Sequence, residues 1–230
     1  MANGSRRRAR PEPVSGNDAV IVEDASRPAA RWLYLARHGE ATADENDLTA
    51  AGRRQAVLLG ERLRGVPLAE IHHGPLARAA QTAALVAEQL VDVPLQRSET
   101  AGDYLPYIPG PEEVPAQFAG LVSRLLTGST ARERERGPAL ARQALEHFTG
   151  PANNGTRHEL VITHNFLIGW LLRAALDAPK WRWMGLNHCH SALTVIRYAP
   201  DRPPSVLVTN DMSHLPLDLR WTGFPPELRV

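Results

Sequence analysis

The stretch that decides the fold is "LYLARHGEATADEND", which runs from Leu33 to Asp47. Its apolar start belongs to "RWLYLARH" (Arg31 to His38), and the almost continuous apolar character is typical of a parallel strand covered on both faces. The strand ends in a cation, an imidazole and a glycine: Arg37, His38 and Gly39. Ligands of open α/β sheets bind outside the carboxyl ends of the strands, so the rest of the chain is expected to supply partners there.

The pattern that follows predicts a β-α-β-α-β order. An amphipathic helix is expected over Leu48 to Gly65, with Thr49 as its N-cap, and a second helix over Pro75 to Leu90. Short strands precede and follow the second helix, a further helix is expected over Ala116 to Leu126, and a buried strand over His158 to His164. We therefore predict a three-layer α/β/α fold with a doubly wound, mostly parallel sheet.

Length and composition favour one globular domain with a tail. The chain has 230 residues, 43% of them hydrophobic, and a formal net charge of +1. Residues 1–29 are predicted to form a flexible N-terminal tail and residues 30–230 the domain. The near-neutral charge gives no reason to expect nucleic acid as a partner, and no apolar run is long enough to span a membrane. A single cysteine and the lack of an apolar region after the basic N-terminus favour a cytoplasmic location.

A second strand, "LVITH", delivers His164 in the way that "LYLARH" delivers His38. Both imidazoles are then expected in one crevice, each before a helix whose N-terminal amides favour an anion. Arg37 lies beside His38, and Arg78 lies early in the second helix, where it reaches the same side of the sheet. Arginine grips phosphate with paired hydrogen bonds and is no metal ligand. The set predicts a phosphate site and no metal.

Five segments resemble the histidine phosphatase superfamily, also called phosphoglycerate mutase-like. They lie in order along the chain from about residue 31: "ARHGEA" (36–41), "LTAAGRRQA" (48–56), "GPLARAAQTA" (74–83), "VITHN" (161–165) and "NHCHSALTVIRY" (187–198). The loop "GDYLPYIPG" lacks the Glu-rich pattern of the mutases, so the chain looks closer to the short phosphatase branch. Of the remaining histidines, His188 or His190 is a candidate for the pocket wall, and neither is expected to be catalytic.

The resemblance implies covalent catalysis without a cofactor. His38 would attack phosphorus and carry a phosphohistidine that water hydrolyses. Arg37, Arg78 and His164 would bind the phosphoryl oxygens and stabilise the charge that develops in the transition state. Gly39 would let the backbone turn tightly beside the phosphate.

The leaving oxygen needs a proton, and the long loop from Thr100 to Pro115 holds the main candidate. Asp103 is the predicted general acid because a loop Asp or Glu at about this point serves that purpose in the family; Glu99 is the main alternative and Glu40 a weaker one.

The predicted function is hydrolysis of a phosphate monoester, with a phosphorylated small molecule or a phosphoprotein as substrate. Two alternatives stay open: a phosphomutase of the same fold, and a non-catalytic phosphate-binding or interaction module. Assembly into a homo-oligomer is left open.

Overall fold

The computed structural model describes residues 28–230. Over these residues the chain forms a six-stranded sheet with strand order β3-β2-β4-β1-β5-β6. The strands are β1 (Arg31–Arg37), β2 (Glu70–His73), β3 (Leu95–Arg97), β4 (Arg157–Thr163), β5 (Leu193–Ala199) and β6 (Arg202–Asp211). The first four pair in parallel, and β5 pairs antiparallel with both β1 and β6. The predicted α/β fold with a mostly parallel sheet is confirmed.

The centre of the sheet is made by β1 and β4, whose side chains are buried on both faces. Leu33 and Leu35 of β1 face one hydrophobic core, and Tyr34 and Ala36 face the other. Two buried faces explain why the strand reads as a continuous apolar run rather than as an alternating one.

Helices cover both faces of this sheet. The described helices are α1 (Ala50–Leu63), α2 (Ala77–Ala87), α3 (Ala119–Thr127), α4 (Ala131–Phe148) and α5 (Asn165–Ala175). Side chains of α1 and α2 complete one core, and those of α4 and α5 complete the other. This gives the three predicted layers.

The helix boundaries follow local chemistry. Thr49 is the N-cap of α1, where its hydroxyl accepts a hydrogen bond from the Gly52 amide at 3.0 Å, as the sequence predicts. The predicted helix over Ala116 to Leu126 is a short 3₁₀ turn over Ala116–Phe118 followed by α3.

The predicted boundary between tail and domain falls at residues 29 and 30. Residues 1–27 of the predicted tail lie outside the described residues. Ala29 exchanges two backbone hydrogen bonds with Ala152, at 2.8 and 2.9 Å, so the domain includes Ala29. No helix in residues 28–230 has the length and apolar character needed to cross a membrane.

Candidate active site

The two strand-end histidines meet at the carboxyl end of the sheet. Because β1 and β4 are parallel neighbours with Arg37 opposite Thr163, the next residue of each strand, His38 and His164, emerges at the same edge. Their ring centroids are 5.0 Å apart. His164 is also the N-cap of α5. The helix after His38 is α1, which starts at Ala50, so residues 39–49 separate His38 from its N-terminus.

The tautomer of His38 is fixed by its own loop. Its Nδ1 lies 2.7 Å from the carbonyl oxygen of Gly39. A carbonyl only accepts hydrogen bonds, so Nδ1 carries the proton and Nε2 presents a lone pair. Burial, with contributions from His164 and Arg37, lowers the pKa of His38 to about 2. The imidazole is therefore neutral across the physiological pH range.

Arg78 joins the imidazole to an acid. Its guanidinium Nε donates to His38 Nε2 at 3.2 Å, and Nη2 donates to Asp103 Oδ2 at 2.9 Å. The side chain is 7% exposed. One planar cation thus fixes the distance between the unprotonated nitrogen of His38 and the carboxylate of Asp103.

Arg37 reaches the crevice from the strand end without a carboxylate partner in residues 28–230. Its Nη1 donates to the carbonyl oxygens of His188 and Gly223, at 3.0 and 3.2 Å. Its Nε is buried and has no hydrogen bond. Burial lowers the pKa of Arg37, and an incoming anion would offset that desolvation.

His164 is 2% exposed, and neither ring nitrogen makes a hydrogen bond within the described chain. Nδ1 lies 3.5 Å from Asp103 Oδ2. Burial, followed by Arg78 and Arg37, lowers the pKa of His164 to about 3. A buried polar group with no partner is costly, so this ring is poised for an external acceptor or donor.

The three candidate acids have different surroundings. Asp103 contacts Arg78 and His164, and burial raises its pKa despite the opposing effect of Arg78. Glu99 instead pairs with Arg97 and Arg136 at 3.3 and 3.2 Å. Glu40 accepts a hydrogen bond from the Thr49 hydroxyl at 2.8 Å. Of these three carboxylates, Asp103 is the one that lies beside both Arg78 and His164.

Gly39 is needed for a different reason from the predicted tight turn. Its φ is outside the left-handed region. A Cβ on Gly39 would strike the carbonyl of Gly52, because the loop after β1 packs directly on α1. The Gly39 amide donates to the Thr82 hydroxyl at 3.0 Å, which ties this loop to α2.

Sequence reasoning missed one neighbour of the site, Glu45, and left open whether His188 or His190 lines the pocket. Glu45 lies 3.4 Å from Arg78 through its carboxylate. His190 lies with its ring centroid 5.2 Å from that of His38. The only signal in the sequence was the density of histidines in "NHCHS", which does not by itself say which ring faces the crevice.

An open cleft of about 660 Å³ adjoins Arg78 and Asp103. Apolar side chains line one part of it, among them Leu76, Leu125 and Phe166, and Arg124, Glu45 and Glu133 supply charge. The cleft has room for a leaving group larger than a small alcohol.

This combination of an α/β/α fold with two histidines and two arginines at one sheet edge defines a class of phosphate-processing enzymes. The family model for the histidine phosphatase superfamily (branch 1) matches residues 33–211. The chain belongs to this superfamily and is a phosphoric monoester hydrolase.

Curated relatives carry phosphatase names, and a solved structure shares the fold. The mitochondrial serine/threonine-protein phosphatase Pgam5 of Caenorhabditis briggsae is 28% identical over 202 residues, which cover 85% of this chain and 68% of that protein. Its Drosophila melanogaster counterpart is 24% identical over 231 residues, covering 97% and 77%. The fold matches Bacillus stearothermophilus YhfR with a TM-score of 0.58 at 24% identity, over 80% of this chain and 98% of that one.

The comparison corrects the expected location. The curated relatives named above are mitochondrial proteins, so the cytoplasmic location expected from the sequence is wrong. That expectation rested on the single cysteine and on the apolar content of the N-terminus, neither of which distinguishes one reducing compartment from another.

Proposed function

We propose that this protein is a metal-independent phosphate monoester hydrolase that acts through a phosphohistidine on His38. The observation that carries the proposal is the state of His38: Nδ1 is held by the Gly39 carbonyl, and Nε2 lies 3.2 Å from the Arg78 guanidinium. An unprotonated imidazole nitrogen beside a phosphate-binding cation is suited to in-line attack on phosphorus once the incoming phosphate takes over the hydrogen bond of Arg78.

In the first step, the Nε2 lone pair of His38 forms a bond to phosphorus and the P–O bond to the leaving group breaks. The electron pair of that bond stays on the ester oxygen, which takes the proton of Asp103 and leaves as an alcohol. Arg37, Arg78 and His164 bind the equatorial oxygens, where charge spreads in the transition state.

In the second step, water attacks the phosphorus of the phosphohistidine. The P–N bond breaks, its electron pair returns to Nε2, and the Asp103 carboxylate takes the proton of the attacking water. Inorganic phosphate leaves, and both His38 and Asp103 regain their starting states.

The assignment of Asp103 as the acid is supported by its contacts and by the direction of its pKa shift. Its carboxyl is one guanidinium away from His38, and burial raises its pKa, which keeps the proton available at higher pH. A general acid works best when its pKa lies near the working pH.

A phosphoprotein is the substrate class that the comparisons favour. The curated relatives are named serine/threonine-protein phosphatases, and the open cleft beside Asp103 could accept the chain around a phosphorylated side chain.

The test is phosphate release from para-nitrophenyl phosphate and from a phosphoserine peptide, with EDTA present. We expect turnover by the wild type and a loss of at least about 10³-fold in His38→Ala. His147→Ala is the matched control, since it removes an exposed imidazole from α4.

Rapid acid-free quenching with labelled substrate should trap an acid-labile phosphoenzyme in the wild type and in the control, but not in His38→Ala. Net transfer of the label to an acceptor hydroxyl would indicate a phosphomutase. Tight phosphate binding without turnover would indicate the non-catalytic module. Full activity of His38→Ala would refute the proposed nucleophile.

A further inference from the structure

We propose that His190 is an additional hydrogen-bond donor to the phosphoryl group, and that Thr222 and Gln55 set its donating tautomer. This inference rests on the proposed function of the crevice as a phosphate site. It concerns a side chain outside the two-histidine, two-arginine set.

The position of His190 places it inside the crevice wall. Its ring centroid is 5.2 Å from that of His38, and the residue is 8% exposed. A Cβ on Gly223 would contact both Arg37 Nη1 and His190 Cε1, at 2.5 and 2.9 Å. The imidazole therefore lies close to the proposed nucleophile and close to Arg37, the cation that has no carboxylate partner among residues 28–230.

The tautomer follows from a chain of hydrogen bonds that begins at Gln55. Its Oε1 accepts from the Glu40 amide at 2.9 Å, and its Nε2 lies 2.8 Å from the Leu219 carbonyl. An amide N–H and a carbonyl fix the orientation of the Gln55 side chain, because the first only donates and the second only accepts. Gln55 is fully buried.

The second proton on Gln55 Nε2 goes to Thr222 Oγ1, at 2.8 Å. The Thr222 hydroxyl thus accepts from Gln55, and its own proton points to His190 Nδ1, at 3.2 Å. If Nδ1 carried the proton instead, the Thr222 hydroxyl proton would have no acceptor within the described chain. We therefore assign His190 Nδ1 as the acceptor, because this assignment satisfies the Thr222 hydroxyl proton, and place the ring proton on Nε2.

The Nε2–H of His190 has no hydrogen-bond acceptor in residues 28–230. Burial and Arg37 lower the pKa of His190 to about 2, so the ring stays neutral and keeps a single N–H donor across the physiological range. A neutral donor adds a directed hydrogen bond without adding charge to a site that already holds Arg37 and Arg78.

At both His190 and Thr222, a neighbouring residue has a backbone in the left-handed region. Ser191 and Trp221, which directly adjoin His190 and Thr222, have φ values of +53° and +63°. Non-glycine residues in this region are uncommon and cluster where side-chain placement matters.

The first test is direct observation of the tautomer in the full chain labelled with ¹⁵N-histidine. The His190 signals, assigned by their loss in His190→Gln, should show a protonated Nε2 and an unprotonated Nδ1. Inorganic phosphate should shift the Nε2–H signal. Thr222→Val should mix the two tautomers. A protonated Nδ1, or no response of Nε2–H to saturating phosphate, would overturn the inference.

The second test uses two amides that reach different ring positions. Gln places its amide nitrogen near His Nε2, whereas Asn places polar atoms near Nδ1. We expect His190→Asn to lower kcat/KM for para-nitrophenyl phosphate by about 10²-fold, as removal of one transition-state donor does. His190→Gln should recover at least about tenfold of that loss. Equal activity of the two variants would overturn the inference.

The two proposals fail separately. If the wild type turns over and the His190 variants match it, the donor role is wrong while the hydrolase proposal stands. If the wild type has no turnover and phosphate still shifts the His190 signal, the hydrolase proposal fails while the donor role stands. Melting temperatures of both variants identify any loss of folding. If a variant is unfolded, the ¹⁵N-histidine spectra of the wild type decide whether His190 donates to phosphate.

Discussion

Both ends of the central strands carry clusters of charged side chains, but the clusters differ in how their arginines are paired with carboxylates. Near the amino ends, Arg157 hydrogen-bonds to both Glu70 and Glu159, and Arg31 lies 3.3 Å from Glu159. Two cations face two carboxylates. This cluster satisfies its own charges, as stable buried ionic groups must.

At the carboxyl ends the two nearby carboxylates, Asp103 and Glu45, both contact Arg78, and Arg37 has no salt bridge within residues 28–230. Arg37 contacts backbone carbonyls, Arg78 shares its guanidinium between His38 and Asp103, and both nitrogens of His164 lack a hydrogen bond. An anion bound in this crevice would accept hydrogen bonds from these buried groups.

Buried atoms without a hydrogen bond occur at both ends, Arg31 Nε and Glu159 Oε2 among them. The two ends differ in charge pairing: Arg31 and Arg157 both contact carboxylates, whereas Arg37 has no carboxylate partner among residues 28–230.

The amino-end cluster also offers Glu70, His72 and Glu159 as donor atoms within 4.8 Å of one another. The guanidinium groups of Arg157 and Arg31 already occupy these carboxylates and would repel a divalent cation. We therefore interpret this cluster as an ionic network that stabilises the strand ends.

Among changes that test the difference between the two ends, we expect the largest loss of kcat for Asp103→Asn acting on an alkyl phosphate. An alcohol leaves slowly without a proton donor, so kcat should fall by about 10³-fold. On para-nitrophenyl phosphate, whose leaving group needs no proton, the loss should be at least tenfold smaller.

The pH profile of alkyl phosphate hydrolysis gives a second test of Asp103 as the acid. Burial raises the folded pKa of Asp103, and the acid is active when protonated. Alkyl phosphate hydrolysis should therefore decline as pH rises through that raised pKa, and Asp103→Asn should lack this decline. Equal losses on both substrates, with an unchanged pH profile, would show that Asp103 is not the acid; the same two assays on Glu99→Gln would then follow.

A matched pair of conservative changes compares the two ends directly. Arg78→Lys keeps a charge but loses the planar fork that spans His38 and Asp103, so kcat/KM should fall by about 10²-fold. Arg157→Lys loses the fork that spans Glu70 and Glu159, so turnover should stay within twofold of wild type, with ~1–3 kcal/mol less stability. Steady-state kinetics and urea unfolding measure both.

A fall in turnover of Arg157→Lys comparable with that of Arg78→Lys would contradict the division between a structural end and a functional end.

Much of the fold could be predicted because the strand cores are locally encoded. The apolar runs around Leu33 and Val161 predict buried strands, and Thr49 predicts the start of α1. The break between the 3₁₀ turn and α3 at Phe118 and Ala119 could not be predicted, because it depends on packing between segments distant in sequence.

The site was predictable only where a residue is placed by a strand end. His38 and His164 meet because β1 and β4 are parallel neighbours. The packing of Gly39 on Gly52 and the path from Gln55 through Thr222 to His190 join segments up to 167 residues apart in the chain. No local pattern encodes such pairings, so these contacts needed the three-dimensional structure.

The smallest expected effect concerns the carboxylate that partly offsets the cations of the carboxyl end. Glu45 lies 3.4 Å from Arg78, but its side chain is 69% exposed, and exposed ion pairs contribute ~0–1 kcal/mol. Glu45→Gln should therefore change kcat/KM by less than about fivefold, and the change should shrink as salt rises. Measurement at low and high ionic strength tests this, with Glu61→Gln on α1 as an exposed control. A larger, salt-independent loss would mean that Glu45 holds Arg78 in place, and the carboxyl end would then be as internally paired as the amino end.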